Sequence, residues 1–120
     1  MNERLRKGLT GIARRQETIT YGEVAEFLRL SMDWPPDRDK MSEVLGEISD
    51  YEHQNGRPLL SVVVVLAATG EPGGGFFDLA KATGQMPTDG DRALFFLREL
   101  RRVHDHWARK PKTAVTGKPG

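Results

Sequence analysis

The apolar residues of this chain recur with a helical period, apart from one short continuous apolar stretch. Between Glu3 and Arg15, Leu5, Leu9, Ile12 and Ala13 share one side and predict a first helix. Gly8 and Gly11 weaken it, since each costs about 1 kcal/mol against alanine in a helix interior. Val24, Phe27 and Leu28 mark a second helix over 21–30. Its start is well signalled: Thr20 can cap it, and Glu23 can reach back to the Thr20 amide. A third segment starts from Asp39, a candidate cap, and runs to Gln54. Met41, Val44, Leu45, Ile48 and Tyr51 form its buried stripe, and Asn55-Gly56 ends it. In the last helix Ala93, Phe96, Leu97, Leu100, Val103, His104 and Trp107 follow the period closely, behind a cap at Thr88 or Asp89.

The segments between these helices have their own signals. Asp33-Trp34-Pro35-Pro36-Asp37 reads as a loop, because two prolines remove donors and push the preceding residues out of helix. Leu59 to Ala67 is valine-rich and reads as a strand covered on both faces. Thr69 to Gly75 is a turn with four glycines and a proline. Phe76 to Thr83 is a short helix or an edge strand; the helix is favoured, with Gly84 beyond its end. Mixed elements in a chain of 120 residues predict one α+β domain over 1–110. The prolines, glycines and lysines after Lys110 predict a flexible basic tail over 111–120.

Composition narrows the function classes. No apolar run is long enough to span a bilayer, so no membrane partner is expected. The N-terminal segment has charge but no apolar signal core, which leaves the cytoplasm as the expected compartment. The absence of cysteine excludes disulfides, thiolate metal sites and cysteine nucleophiles. The net charge of +1 hides a segregation: Met1–Arg15 carries +4, 98–120 carries +5, and the middle carries −8. Such asymmetry bears on partners more than the total does.

Several short motifs occur in a telling order. Tyr21-Gly22-Glu23-Val24-Ala25 opens the second helix, Val44-Leu45-Gly46 lies in the third, and Pro58-Leu59-Leu60-Ser61-Val62-Val63 precedes the glycine-rich segment Gly70 to Phe77. With Arg92 to Glu99 closing the series, this order resembles the DNA-binding domain of O6-alkylguanine-DNA alkyltransferases and the alkyltransferase-like proteins. The resemblance covers roughly Ile19 to Leu100. It implies a single winged-helix-like domain with a short central sheet or hairpin and a long C-terminal helix. It also implies that Tyr21 lies near a flipped nucleotide. The departures are equally informative. Leu59 stands at the position of the family's alkyl-acceptor cysteine, and Leu60 and Ser61 replace the following histidine and arginine. Alkyl transfer needs an activated thiolate, so that reaction is not expected. Glu43 stands where the family inserts an arginine into the duplex.

The charge pattern then ranks binding surfaces. Arg98, Arg101, Arg102 and Arg109 lie off the apolar stripe of the last helix, and Arg14 and Arg15 sit at the end of the first. If those helices adjoin, one side becomes a basic footprint for nucleic acid. The third helix instead presents Glu43, Glu47, Asp50 and Gln54 on one face, with no lysine or arginine between Met41 and Asn55. Phosphates would be repelled there, which suits a protein partner docking on that face or on the Trp34 loop. Other motifs fall away. The glycine-rich turn lacks the lysine and hydroxyl of a phosphate-binding loop, since Phe76-Phe77 follow. His104 and His106 are two apart on a helix and cannot chelate one ion. No cofactor, metal or catalytic set is expected. The leading expectation is a non-catalytic accessory or regulatory protein in nucleic-acid transactions. The alternative is a protein-partner adaptor or inhibitor.

Overall fold

Local chemistry sets the element boundaries in the computed structural model, which describes residues 1–108; Arg109 and the expected tail lie outside the described residues. Helix α1 (Glu3–Arg14) is capped by the Asn2 side chain, which accepts the Leu5 N–H at 2.9 Å. Strand β1 (Ile19–Thr20) leads directly into α2 (Tyr21–Leu28). The capping box is present: Thr20 Oγ1 accepts the Glu23 N–H, and Glu23 accepts the Thr20 N–H. Arg29 ends α2 in the left-handed region, with φ 59°. Helix α3 spans Pro35–Gln54, and α4 spans Gly74–Ala82. Gly84, with φ 77°, stands beyond α4 and allows the chain to turn away. Helix α5 (Arg92–Trp107) is capped by Asp91 rather than by Thr88 or Asp89.

Two expectations are corrected. The Pro-Pro segment is not a loop: Pro35 and Pro36 occupy the first turn of α3, where a missing N–H costs nothing and a fixed φ helps. The segment read as a strand over Leu59 to Ala67 instead forms a 3-10 turn, Leu60–Val63, followed by the two-residue strand β2 (Val64–Val65). A continuous apolar run signals full burial without distinguishing one buried backbone form from another. Of the expected short sheet or hairpin it is the sheet that forms, a parallel pair with Ile19 opposite Val64 and Thr20 opposite Val65. The arrangement remains α+β, dominated by helices.

The 3-10 turn is the hub of the core. Leu59, Leu60, Val62, Val63 and Val64 are wholly buried, and α1, α3 and α5 pack around them. Helix α3 turns Met41, Leu45 and Ile48 inward against this hub and α4, rather than chiefly against α2.

Two stripes are phased differently from the sequence reading, and buried carboxylates explain both. In α5, Phe96, Glu99 and Val103 face the core while Ala93 and Leu97 face solvent and His104 sits at the edge. Glu99 is drawn inside because its carboxylate accepts the Leu59 N–H at 2.8 Å and an Arg102 N–H at 2.6 Å. In α3, Tyr51 is exposed, Val44 is half-buried, and Glu52 is wholly buried. Arg6 and Arg57 each donate to Glu52 at 2.6 Å, which ties α1 and the chain after α3 to one carboxylate. Burial by itself would raise the Glu52 pKa; the hydrogen bonds from Arg57 and Arg6 outweigh it and hold the group below the usual carboxylate range.

Candidate binding cleft

Starting α3 at Pro35 adds a full turn to it and places Arg38, Met41, Ser42, Leu45 and Gly46 at helical spacing along one wall of a cleft. The opposite wall is the start of α4 with Gly73, Gly74, Gly75, Phe76 and Leu79. Tyr21, at the first position of α2, and Ser61, in the 3-10 turn, complete the lining with Met32 and Leu66. The cleft has a volume of about 430 Å³ and is half open to solvent. That volume suits one small ligand or one base-sized group.

The few polar groups of the cleft are held in place. The Gly73 N–H donates to Tyr21 Oη at 2.9 Å, which fixes the ring against the glycine-rich turn and leaves the phenolic proton available. A Cβ on Gly73 would lie 3.4 Å from that oxygen, so glycine permits the close approach. Burial raises the Tyr21 pKa and the Gly73 bond partly offsets it, so Tyr21 stays a neutral donor at physiological pH. Buried Ser49 donates to Ser61 Oγ at 2.7 Å and accepts the Ser61 N–H at 2.9 Å. These bonds fix the Ser61 hydroxyl, which is buried at the edge of the cleft lining. Arg38 is the charged residue of the lining, is exposed, and forms no ion pair among the described residues. The walls are otherwise mainly apolar, from Met32, Met41, Leu45, Leu66, Phe76 and Leu79.

The basic residues expected to bind nucleic acid lie elsewhere, as α5 contributes nothing to this cleft. Helix α1 does pack against α5, so the condition for a shared basic side is met. Carboxylates interleave with it: Arg15 pairs with Glu17 at 3.0 Å, Arg101 with Asp105 at 3.7 Å, and Arg102 with Glu99. Arg98 is exposed and in no ion pair among the described residues. On α3, Glu43 pairs with Lys40 at 3.1 Å, Glu47 lies 3.8 Å from the Met1 amine, and Asp50 accepts from Gln54. Trp34, at the N-cap of α3, is 59% exposed. Among the described residues no three His, Asp or Glu side chains converge on a metal site, and no helix is long and apolar enough to cross a membrane.

Arg38, Ser42 and Ser61 escaped the sequence reading. A signal for the first two was present, since proline is favoured in the first helical turn and a helix begun at Pro35 carries Arg38, Ser42 and Leu45 on one face. No family model, characterised protein or solved structure matches this chain.

Proposed function

We propose that this protein is a non-catalytic nucleic-acid-binding protein with an accessory or regulatory role, and that its cleft receives an unstacked base. The observation that carries the reading is convergence. Tyr21, Leu45-Gly46, Ser61 and Gly73 to Phe76 come from four separated segments and line one cleft. These are four of the five segments on which the resemblance to the winged-helix-like domain of alkyltransferase-like proteins rests; the fifth, Arg92 to Glu99, does not line the cleft. In this reading apolar walls take the faces of the base, the Tyr21 hydroxyl donates to its edge, and Arg38 meets a flanking phosphate. Exposed cations on α1 and α5, such as Arg14 and Arg98, add sequence-independent attraction.

Alkyl transfer is not part of the proposal. The chain has no thiol, and Leu59, at the acceptor position, is wholly buried and contributes nothing to the cleft lining. A binding role needs none.

Extruding a base costs a few kcal/mol and costs least where the base is mispaired. Fluorescence anisotropy at low salt is therefore expected to show a duplex with a central mismatch bound about tenfold more tightly than its matched counterpart. Ser42→Trp, which fills the cleft mouth from an exposed position, is expected to equalise the two. Absence of binding at low salt, or equal affinities for wild type, would contradict the proposal. A second reading, a protein partner on the acidic α3 face, draws on the exposure of Trp34, because protruding aromatics often anchor protein interfaces. Charge reversal at Glu43, Glu47 and Asp50 would then abolish a complex that DNA does not compete for.

A further inference from the structure

We infer that two copies of this chain associate through antiparallel pairing of α5, with Leu94 of one packed beside Leu97 of the other. The starting observation is a helix face that the fold leaves uncovered. Helix α5 buries Phe96, Glu99 and Val103. On its opposite side Ala93, Leu94, Leu97, Arg98, Arg101 and Asp105 are all exposed. Leu94 is 46% exposed and Leu97 is 60% exposed. Leucines three apart on a helix are neighbours, so these two form one apolar ridge rather than scattered surface residues.

The charges beside the ridge select its occupant. Asp89 and Asp91 precede the leucines, and Arg98 and Arg101 follow them. Arg92 turns away over the Phe77 ring, so the face is acidic before the ridge and, with two arginines against Asp105, net basic after it. Parallel pairing would set like charges together. Antiparallel pairing with Leu94 level with Leu97 brings Arg101 just beyond the start of the second copy's α5, where Asp91 caps the helix and Asp89 precedes it. Arg98 then lies level with Ala93, whose small side chain lets the helices approach. Each contact recurs by two-fold symmetry, as a self-complementary interface requires. Arg101 and Asp105 are only 3.7 Å apart but both are exposed, so their weak pairing does not compete strongly. The ridge is short, which points to a dissociation constant on the order of 10–100 µM. None of this depends on the cleft, to which α5 contributes no residue.

Sedimentation velocity over a concentration series from about 1 to about 500 µM tests the pairing across the expected dissociation constant. The weight-average mass is expected to rise from monomer towards dimer. Leu97→Glu, at an exposed position, is expected to remain monomeric throughout while melting like wild type. Arg101→Glu is expected to weaken the dimer, and adding Asp89→Lys is expected to restore it. A wild type that stays monomeric overturns the proposal, as does a Leu97→Glu variant that associates like wild type. Loss of association in Arg101→Glu without recovery in the double variant overturns the antiparallel register.

Discussion

Glu52 illustrates how one residue links sequence-distant elements. Its carboxylate is wholly buried, and both partners, Arg6 and Arg57, reach it from partly exposed positions, 19% and 24% accessible. Removing the charge leaves two guanidinium groups that can still turn to water. The expected loss in Glu52→Gln is therefore about 2–3 kcal/mol, below that for stranding a buried charge. Chemical denaturation at neutral pH measures it. The pH dependence follows from the lowered folded pKa. The unfolded value is about 4.3, so the contribution is complete above that pH and is lost as pH falls through the folded value. Glu52→Gln is expected to flatten the acid side of the stability profile. A variant with the same acid limb as wild type would show that Glu52 does not carry it. Neither Glu52 nor Glu99 was legible as a core residue in the sequence, because a glutamate on a helix reads as solvent-facing until its arginine and amide partners are known.

At the scale of elements, the second helix was the most legible. Thr20 and Glu23 specify its start within three residues, and the structure contains both halves of the capping box. Its end is less favourable. Arg29 adopts φ 59°, a conformation that costs a residue with a Cβ about 1–2 kcal/mol. Arg29→Gly relieves that strain but gives the unfolded chain more freedom, for a net expected gain of about 0.5 kcal/mol. The melting temperature is expected to rise by about 2–4 °C, given how stability scales in domains of this size. A fall would show that the Arg29 side chain contributes more than its backbone strain costs. Helix α3 was misread at its start because the rule that proline disfavours helix was applied where proline favours the first turn. The phase of α5 was misread because Leu97 matches the helical period as well as Phe96 does, and only the burial of Glu99 decides between them. The 3-10 hub was legible as buried but not as a backbone form.

For the whole molecule, the segregation of charge in the sequence survives as adjacency of α1 and α5. Glu17 offsets part of it by pairing with Arg15, while Glu99 and Asp105, already counted in the +5 of 98–120, pair with Arg102 and Arg101. Arg98 remains among the cations outside the described ion pairs, and Arg98→Glu is expected to reduce the slope of log affinity against log salt by about one if it neutralises a phosphate. An unchanged slope would place the phosphate contacts elsewhere. The cleft itself was visible only in pieces. The motifs that line it were readable, but their meeting depends on long-range packing of α2, α3, the 3-10 turn and α4, which no local period encodes. The central claim is that this meeting place takes an unstacked base. The direct measurement is the fluorescence of 2-aminopurine placed opposite a mismatch in a duplex, titrated with protein at low salt. Stacking quenches the probe, so wild type is expected to brighten it on binding, while Ser42→Trp binds the duplex without brightening it. Binding by wild type with no change in fluorescence, or equal brightening by the filled-cleft variant, would contradict the account.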